Sequence, residues 1–182
     1  MRAFAIIIIL LFLLISCDKG LSPELAETKA GFSGTVTFIG NWNSEAKQTY
    51  VVAFKNPLLS IDDFSIFNLK FVSELIPFGS STYGYSTNDA GAVLSNIDSG
   101  DYSYVAVAQT IRDTLSLARK DWIVAGIYTL ENNLTQPGIL NIPQGTFVEN
   151  INIVCDFNNP PPQPPSEINN LLKSFFEMKK IK

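Results

Sequence analysis

Between residues 32 and 157, apolar and polar side chains alternate along several short stretches. In FSGTVTFI, at 32–39, Val36 and Phe38 point to one side of an extended chain, and the neighbouring threonines point to the other. This period of two is typical of an antiparallel strand with one buried and one solvated face. The alternation predicts an all-β domain over 32–157.

Turn-forming residues such as Gly40-Asn41, Asn56-Pro57 and Gln136-Pro137-Gly138 separate these stretches. Short strands with regular turns predict an antiparallel β-sandwich of seven to eight strands. The segment 111–120 is either a short helix or a loop. The strands are predicted at 32–39, 49–55, 64–72, 91–97, 101–109, 121–129 and 147–157, with a shorter eighth at 138–142.

The chain begins with a pattern typical of export. Arg2 precedes thirteen uncharged residues at 3–15, a stretch too short for a stable transmembrane helix. The residues LISC at 14–17, which overlap the end of this stretch, resemble the lipobox of bacterial lipoproteins. That resemblance implies a signal peptide at 1–16, cleavage before Cys17, and acylation of Cys17 as the membrane anchor.

Residues 17–31 are polar beyond Cys17 and are predicted to be a lipidated tether. We therefore expect a lipid-anchored protein of the bacterial cell envelope, with the outer membrane of a Gram-negative cell favoured. Asp18 resembles an inner-membrane retention signal of enteric bacteria, which leaves the choice of membrane open.

Two segments follow the β-domain. Five prolines in 158–165 predict a stiff polyproline II spacer. Residues 166–182 predict an amphipathic helix. Its apolar residues at helical spacing are Ile168, Leu171, Leu172, Phe175 and Met178. This helix either docks on its own domain or serves as an arm for a partner or a membrane surface.

Composition narrows the chemistry. The chain has no histidine, the residue that most general-base and zinc sites use. Its net charge is −4 and its lysines are scattered along an acidic chain, so nucleic acid is not an expected partner. No serine lies in a Gly-x-Ser-x-Gly turn and no carboxylate pair stands out. Cys155, in an alternating stretch, is predicted to be a small buried hydrophobe. We expect no enzyme activity and no cofactor.

Two sets of residues remain as candidate sites. Asp98 and Asp101 flank a Ser-Gly turn and offer oxygen ligands for calcium, although aspartates also stabilise turns. Trp42, Tyr83 and Tyr85 lie in predicted loops, where aromatic rings stack on sugars or peptides.

The strand that follows Asp101 raises a problem of its own. Tyr102 and Tyr104 alternate with Val105 and Val107, so these side chains do not share one face. We therefore predict a strand covered on both faces, or a bulge near Tyr104-Val105.

Gly34-Thr35-Val36 in the first strand, and Gly100-Asp101-Tyr102 before a later one, resemble motifs of the transthyretin-like β-sandwich found in carboxypeptidase regulatory domains. The resemblance covers roughly 32–157. It implies that fold and a non-catalytic accessory role, and it carries over no catalytic residues.

Taken together, these features predict an envelope lipoprotein that acts as a non-enzymatic binding or structural module, with an envelope protein or a glycan as its partner. The alternatives are a carbohydrate-binding or accessory domain of an envelope hydrolase system, and a calcium-dependent adhesion module.

Overall fold

The computed structural model describes residues 29–130 and 135–166. In these two ranges the chain is all-β, and its helical structure amounts to one 3-10 turn at Arg119–Asp121. The strands are β1 (Gly31–Ile39), β2 (Gln48–Phe54), β3 (Leu69–Val72), β4 (Thr82–Ser86), β5 (Leu94–Ser95), β6 (Gly100–Tyr102), β7 (Tyr104–Thr110), β8 (Ile123–Ile127), β9 (Leu140–Ile142), β10 (Phe147–Val148) and β11 (Ile153–Asp156).

Nine of these strands form one sheet in the order β10-β1-β11-β8-β7-β2-β3-β5, with β4 also paired to β1. The two remaining strands, β6 and β9, pair with each other. Most pairings are antiparallel, but β1 runs parallel to both β10 and β11. The sheet is therefore mixed, and the expectation of a purely antiparallel fold is corrected. Parallel pairing is open to these strands because a long connection, rather than a hairpin, joins them.

The large sheet curls until its distant strands meet. Phe32 of β1 and Phe71 of β3 are five steps apart in strand order, yet their ring centroids are 5.6 Å apart. Tyr85 of β4 contacts both rings, at 6.1 Å and 6.3 Å. The main hydrophobic core fills the space inside this curl, where aromatic rings meet edge to face.

The central strands β2 and β7 are buried on both faces. Val51 and Val107 point into the main core, whereas Phe54 and Ala106 belong to a second apolar cluster on the opposite face. All seven residues of β7 are buried. The prediction of a strand covered on both faces is confirmed. The interruption lies at Ser103, where the chain leaves the small sheet for the large one.

The predicted strand at 64–72 is shorter than expected. Only Leu69–Val72 pairs, because the side chain of Asn68 holds the residues before it in a loop. Asn68 is 6% exposed; its amide nitrogen donates to the carbonyls of Asn56 and Asp63, and its oxygen accepts from the Asn56 amide.

Further strand predictions need correction, since 91–97 pairs only at Leu94–Ser95 and 121–129 only at Ile123–Ile127. The stretch 147–157 divides into β10 and β11 around Asn150, whose φ of 65° is left-handed. The strand β4 was not predicted at all. The segment 111–120 is a loop that ends in the 3-10 turn.

The proline-rich segment lies against the domain. Pro161 and Pro164 are buried. The side-chain amide of Gln163 accepts from the backbone N–H of Val124 and donates to its carbonyl, both at 2.8 Å, as a neighbouring strand would. Arg119 donates to the Pro164 carbonyl at 3.0 Å. Residues 158–165 are thus packed along β8 rather than extended away from it. The predicted helix at 166–182 lies, beyond Ser166, outside the described residues.

Candidate functional site

The predicted lipidation site, Cys17, lies outside the described residues, as do the signal peptide and most of the tether. Residues 29–31 lead directly into β1.

The turn at 98–101 is organised around the hydroxyl of Tyr102. The Tyr102 hydroxyl donates to the carbonyl of Asp98 and accepts from its amide, both at 2.9 Å. Gly100 adopts a φ of 114°, which favours glycine. Asp101 accepts from the side chain of Asn141 at 2.6 Å.

A positively charged side chain, that of Lys55, already lies at this turn. The Lys55 ammonium donates to the carbonyl of Ser99 at 3.2 Å and lies 4.3 Å from the centre of the Tyr102 ring. Its charge opposes a calcium ion at the same place. Within 29–130 and 135–166, no three His, Cys, Asp or Glu side chains come together as metal ligands.

The three candidate aromatic residues do not form an exposed platform. Tyr85 is 3% exposed and its hydroxyl donates to the Ile151 carbonyl at 2.6 Å, so the prediction that it stacks on a ligand is wrong. Tyr83 is half-buried two positions earlier, on the same face of β4. Burial raises the pKa of both hydroxyls, most strongly that of Tyr85.

Trp42 covers one end of the main core. Its indole N–H donates to the Ser80 carbonyl at 3.1 Å, and its rings contact Phe38, Phe78 and Phe157 at centroid distances of 4.5, 5.4 and 5.4 Å. Trp42 therefore packs against the core, and only the part of its side chain that stays exposed could contact a ligand.

A groove that sequence analysis did not identify lies on the outer face of the large sheet. We call it the outer groove. It encloses about 250 Å³, and two loops wall it on either side. Its floor consists of apolar side chains from four strands and from the residue before β8, namely Val52, Leu69, Val72, Leu94, Ala108 and Trp122. Because the side chain of Ala108 is small, it leaves space in the groove between its larger neighbours.

The first wall is the loop before β3, which contributes Phe64, Ser65 and Ile66. Hydrogen bonds within the loop fix its shape. The Asp63 carboxylate accepts from the Ser60 hydroxyl at 2.9 Å and from the Ser60 amide at 2.7 Å, which lowers the pKa of Asp63. Asn68 closes the other end of the loop, as described above.

The second wall is the loop before β8, which contributes Leu115, Ser116 and Leu117. Asp121 accepts from the Ser116 hydroxyl at 2.5 Å and forms an ion pair with Arg112 at 2.8 Å. These contacts lower the pKa of Asp121, the hydrogen bond from Ser116 having the largest effect. The Trp122 indole N–H donates to the Ser116 carbonyl at 2.8 Å, which fastens the loop to the floor.

The rim of the outer groove exposes large apolar side chains to solvent. Ile66, Val93, Leu115 and Leu117 are 49–64% exposed, and the adjacent Phe67 is 85% exposed. Ser65 and Ser116 are the polar residues among those lining the groove. Contiguous apolar surface of this kind is typical of an interaction site. The lining offers no acid, base or thiol, so it can hold an apolar group but has no residue suited to general acid-base chemistry.

Cys155 lies in the main core and is fully buried. Burial raises the pKa of its thiol, which keeps it protonated and unreactive. The prediction that Cys155 packs as a small hydrophobe is confirmed.

A weak sequence signal for the groove existed. Ile66, Leu115 and Leu117 are large apolar residues in segments that form loops, where polar residues are usual. Two loops far apart in the chain meet on one sheet face, which no local pattern reveals.

Among the described residues, no helix has the length and hydropathy needed to cross a membrane. Comparisons with models of protein families, with curated proteins and with solved structures found no match for this chain.

Proposed function

We propose that this protein is a lipid-anchored lipoprotein of the bacterial cell envelope and that it acts as a non-enzymatic binding module. The observation that carries the binding role is the outer groove, with its apolar floor, braced walls and exposed apolar rim. The anchor is proposed from the sequence at 14–17, and Cys17 is the residue that carries the lipid.

The ligand we propose is an apolar polypeptide segment of a partner protein that inserts one or two large side chains. Size supports this choice, because a cavity of ~150 Å³ is enough to hold one benzene ring and the outer groove encloses about 250 Å³. A central apolar pocket that receives an anchor side chain is the usual centre of a protein interface.

We further propose that the domain is a transthyretin-like β-sandwich whose two layers are the halves of the curled sheet. The ring contact between Phe32 and Phe71, which joins those halves, supports this assignment. So does Tyr102, whose hydroxyl bonds the backbone four residues upstream, as a corner tyrosine does in Greek-key sandwiches. The parallel strands β10 and β11 set this chain apart from a purely antiparallel member.

An environment-sensitive dye tests the groove. Anilinonaphthalene sulfonate fluoresces when it enters apolar sites, and it is titrated to saturation against the full chain. We expect Leu117→Glu to weaken dye binding, because the carboxylate would have to lose its water at the rim. Since Leu117 is 64% exposed, the variant should retain the wild-type melting temperature.

Ile39→Glu is the matched control. Ile39 is 47% exposed at the end of β1 and does not line the groove, so this variant should bind the dye as the wild type does. Equal dye affinities in wild type and Leu117→Glu would contradict the proposed binding site.

The lipid anchor is tested separately. Radiolabelled palmitate should appear on the wild-type chain in cells and be lost from Cys17→Ala. Label that persists in the variant would contradict the anchor without affecting the groove.

A further inference from the structure

We propose that residues 167–182 of this chain dock in the outer groove of their own domain, so that a partner must displace them in order to bind. This inference rests on the proposed binding role of the groove, and it names both an occupant and a means of control. The described chain ends beside the groove, and the remaining residues have the length, apolar pattern and charge that the site requires.

The end of the described chain is fixed next to the groove. Arg119, which is 5% exposed, donates to the carbonyl of Pro164 at 3.0 Å and to that of Trp122 at 2.5 Å. Trp122 is part of the groove floor, and Leu117, two positions before Arg119, is part of its wall. One buried guanidinium thus links the last proline-rich residues to the groove.

The proline-rich segment approaches along the same face of the sheet. Pro164 and Pro165 lie with Leu58 and Tyr104 on the outer face, where the second apolar cluster continues toward the groove. The chain therefore already covers one end of this face when it reaches Ser166.

Sixteen residues follow Ser166. They span ~24 Å as a helix, at ~1.5 Å per residue, and about twice that when extended. In a helix, Leu171, Leu172 and Phe175 share one face, and they would supply the one or two large side chains that the groove accommodates.

Charge favours docking on this domain. The segment 166–182 has four lysines and two glutamates, whereas 32–157 has six basic and twelve acidic residues. Opposite net charges attract segment and domain, and salt weakens that attraction.

Docking within one chain would place the segment in competition with a partner for the groove. A tethered segment has an effective concentration of about 1 mM or more. A segment with an intrinsic Kd of ~100 µM would then fill the groove in about 90% of molecules and weaken a partner's apparent affinity about tenfold.

Photo-crosslinking tests the docked position. The full chain carries p-benzoylphenylalanine in place of Leu117, and the crosslinked peptides are identified by mass spectrometry. We expect crosslinks to peptides from 167–182, and none to them from the same probe at Ile39. A mixture of isotope-labelled and unlabelled chains should give crosslinks within single chains. Crosslinks between chains, or none to 167–182, would overturn the proposal.

Dye binding gives an independent measurement. Phe175→Glu in the full chain should release the segment and tighten binding of anilinonaphthalene sulfonate about tenfold. Asn170→Glu is the matched control, because it adds the same charge and in a helix would lie on the side away from Phe175, and it should leave dye binding unchanged. A synthetic peptide with the sequence of 167–182 should displace the dye from the Phe175→Glu chain.

The outcomes separate the two proposals. If Leu117→Glu weakens dye binding but Phe175→Glu does not tighten it, the groove is a binding site and the docked segment is refuted. If Leu117→Glu does not weaken dye binding in the Phe175→Glu chain, where the segment no longer competes, the binding role of the groove fails, and the docked segment fails with it.

Discussion

Replacing Gly34 with alanine should destabilise the domain, because the backbone of another segment occupies the space that a side chain would need. A β-carbon at Gly34 would overlap the carbonyl oxygen of Ile151 and lie 2.5 Å from its carbonyl carbon. That carbonyl accepts the Tyr85 hydroxyl at 2.6 Å, and the Ile151 amide donates to Ser33 at 2.9 Å. Because these two hydrogen bonds hold the backbone of Ile151, it has little room to move away from an added side chain at Gly34.

The cost can be worked out from these contacts. Overpacking in a well-packed site costs ~1–3 kcal/mol, and weakening two hydrogen bonds costs ~1 kcal/mol more. We therefore expect a loss of ~2–4 kcal/mol in the free energy of unfolding. For a chain of this size, that corresponds to a fall of roughly 5–15 °C in melting temperature.

Gly84→Ala is the matched control. Gly84 lies on β4, opposite Thr35 of β1, and a β-carbon there would meet no atom within 4 Å. Alanine should be neutral or stabilise by ~0.4–1 kcal/mol, because it restricts the unfolded chain. Urea unfolding followed by tryptophan fluorescence measures both variants. A Gly34→Ala protein within ~0.5 kcal/mol of wild type, or a Gly84→Ala protein that loses as much as Gly34→Ala, would refute the reasoning.

Three further outcomes are expected. Gln163→Ala should lower the free energy of unfolding by ~1 kcal/mol, because it removes both hydrogen bonds to Val124, whereas Gln144→Ala, at an exposed position, should change it little. Acidification should loosen the second wall of the groove, because the pKa of Asp121 is lowered in the folded protein. The ionised Asp121 therefore contributes its full stability above the ordinary carboxyl pKa, and this contribution is lost as the pH falls through the lowered pKa. Trp122 fluorescence against pH should report this change, and Asp121→Asn should abolish it. Cys155 should resist iodoacetamide at pH 8 in the native protein and react in urea; rapid native labelling would contradict its burial.

Much of the sheet could be predicted from alternation alone, because a half-buried strand imposes its period on the sequence. The predicted ranges 32–39 and 49–55 coincide with β1 and β2 to within one residue. The strand β4 was missed because Tyr83-Gly84-Tyr85 has the composition of a turn. In fact both tyrosines point into the core and the glycine lies on the outer side with nothing near it.

The parallel pairing of β1 with β11 leaves no local trace in either strand. Both alternate as antiparallel strands do, and their direction is set by the path of the chain between them. The groove was missed for a related reason. Leu115 and Ile66 stand 49 positions apart in sequence, and the strand order β8-β7-β2-β3 brings their loops to one face. Of the five predicted side chains beyond Cys17, one is core, two are half-buried, and the two aspartates belong to an exposed turn.

The position of β1 in the sheet has a consequence for how the domain folds. The strand β11, which runs parallel to β1, comes from the far end of the domain. The hydrogen bond from the Thr35 amide to the Asn152 side chain joins residues 117 positions apart. Long loops must close before such contacts form, so folding should fall in the slow range of milliseconds to seconds that is typical of β-sandwiches. Until β11 arrives, one edge of β1 has unpaired backbone groups beside Val36 and Phe38. During synthesis this first strand is therefore the part of the domain most open to pairing with another chain.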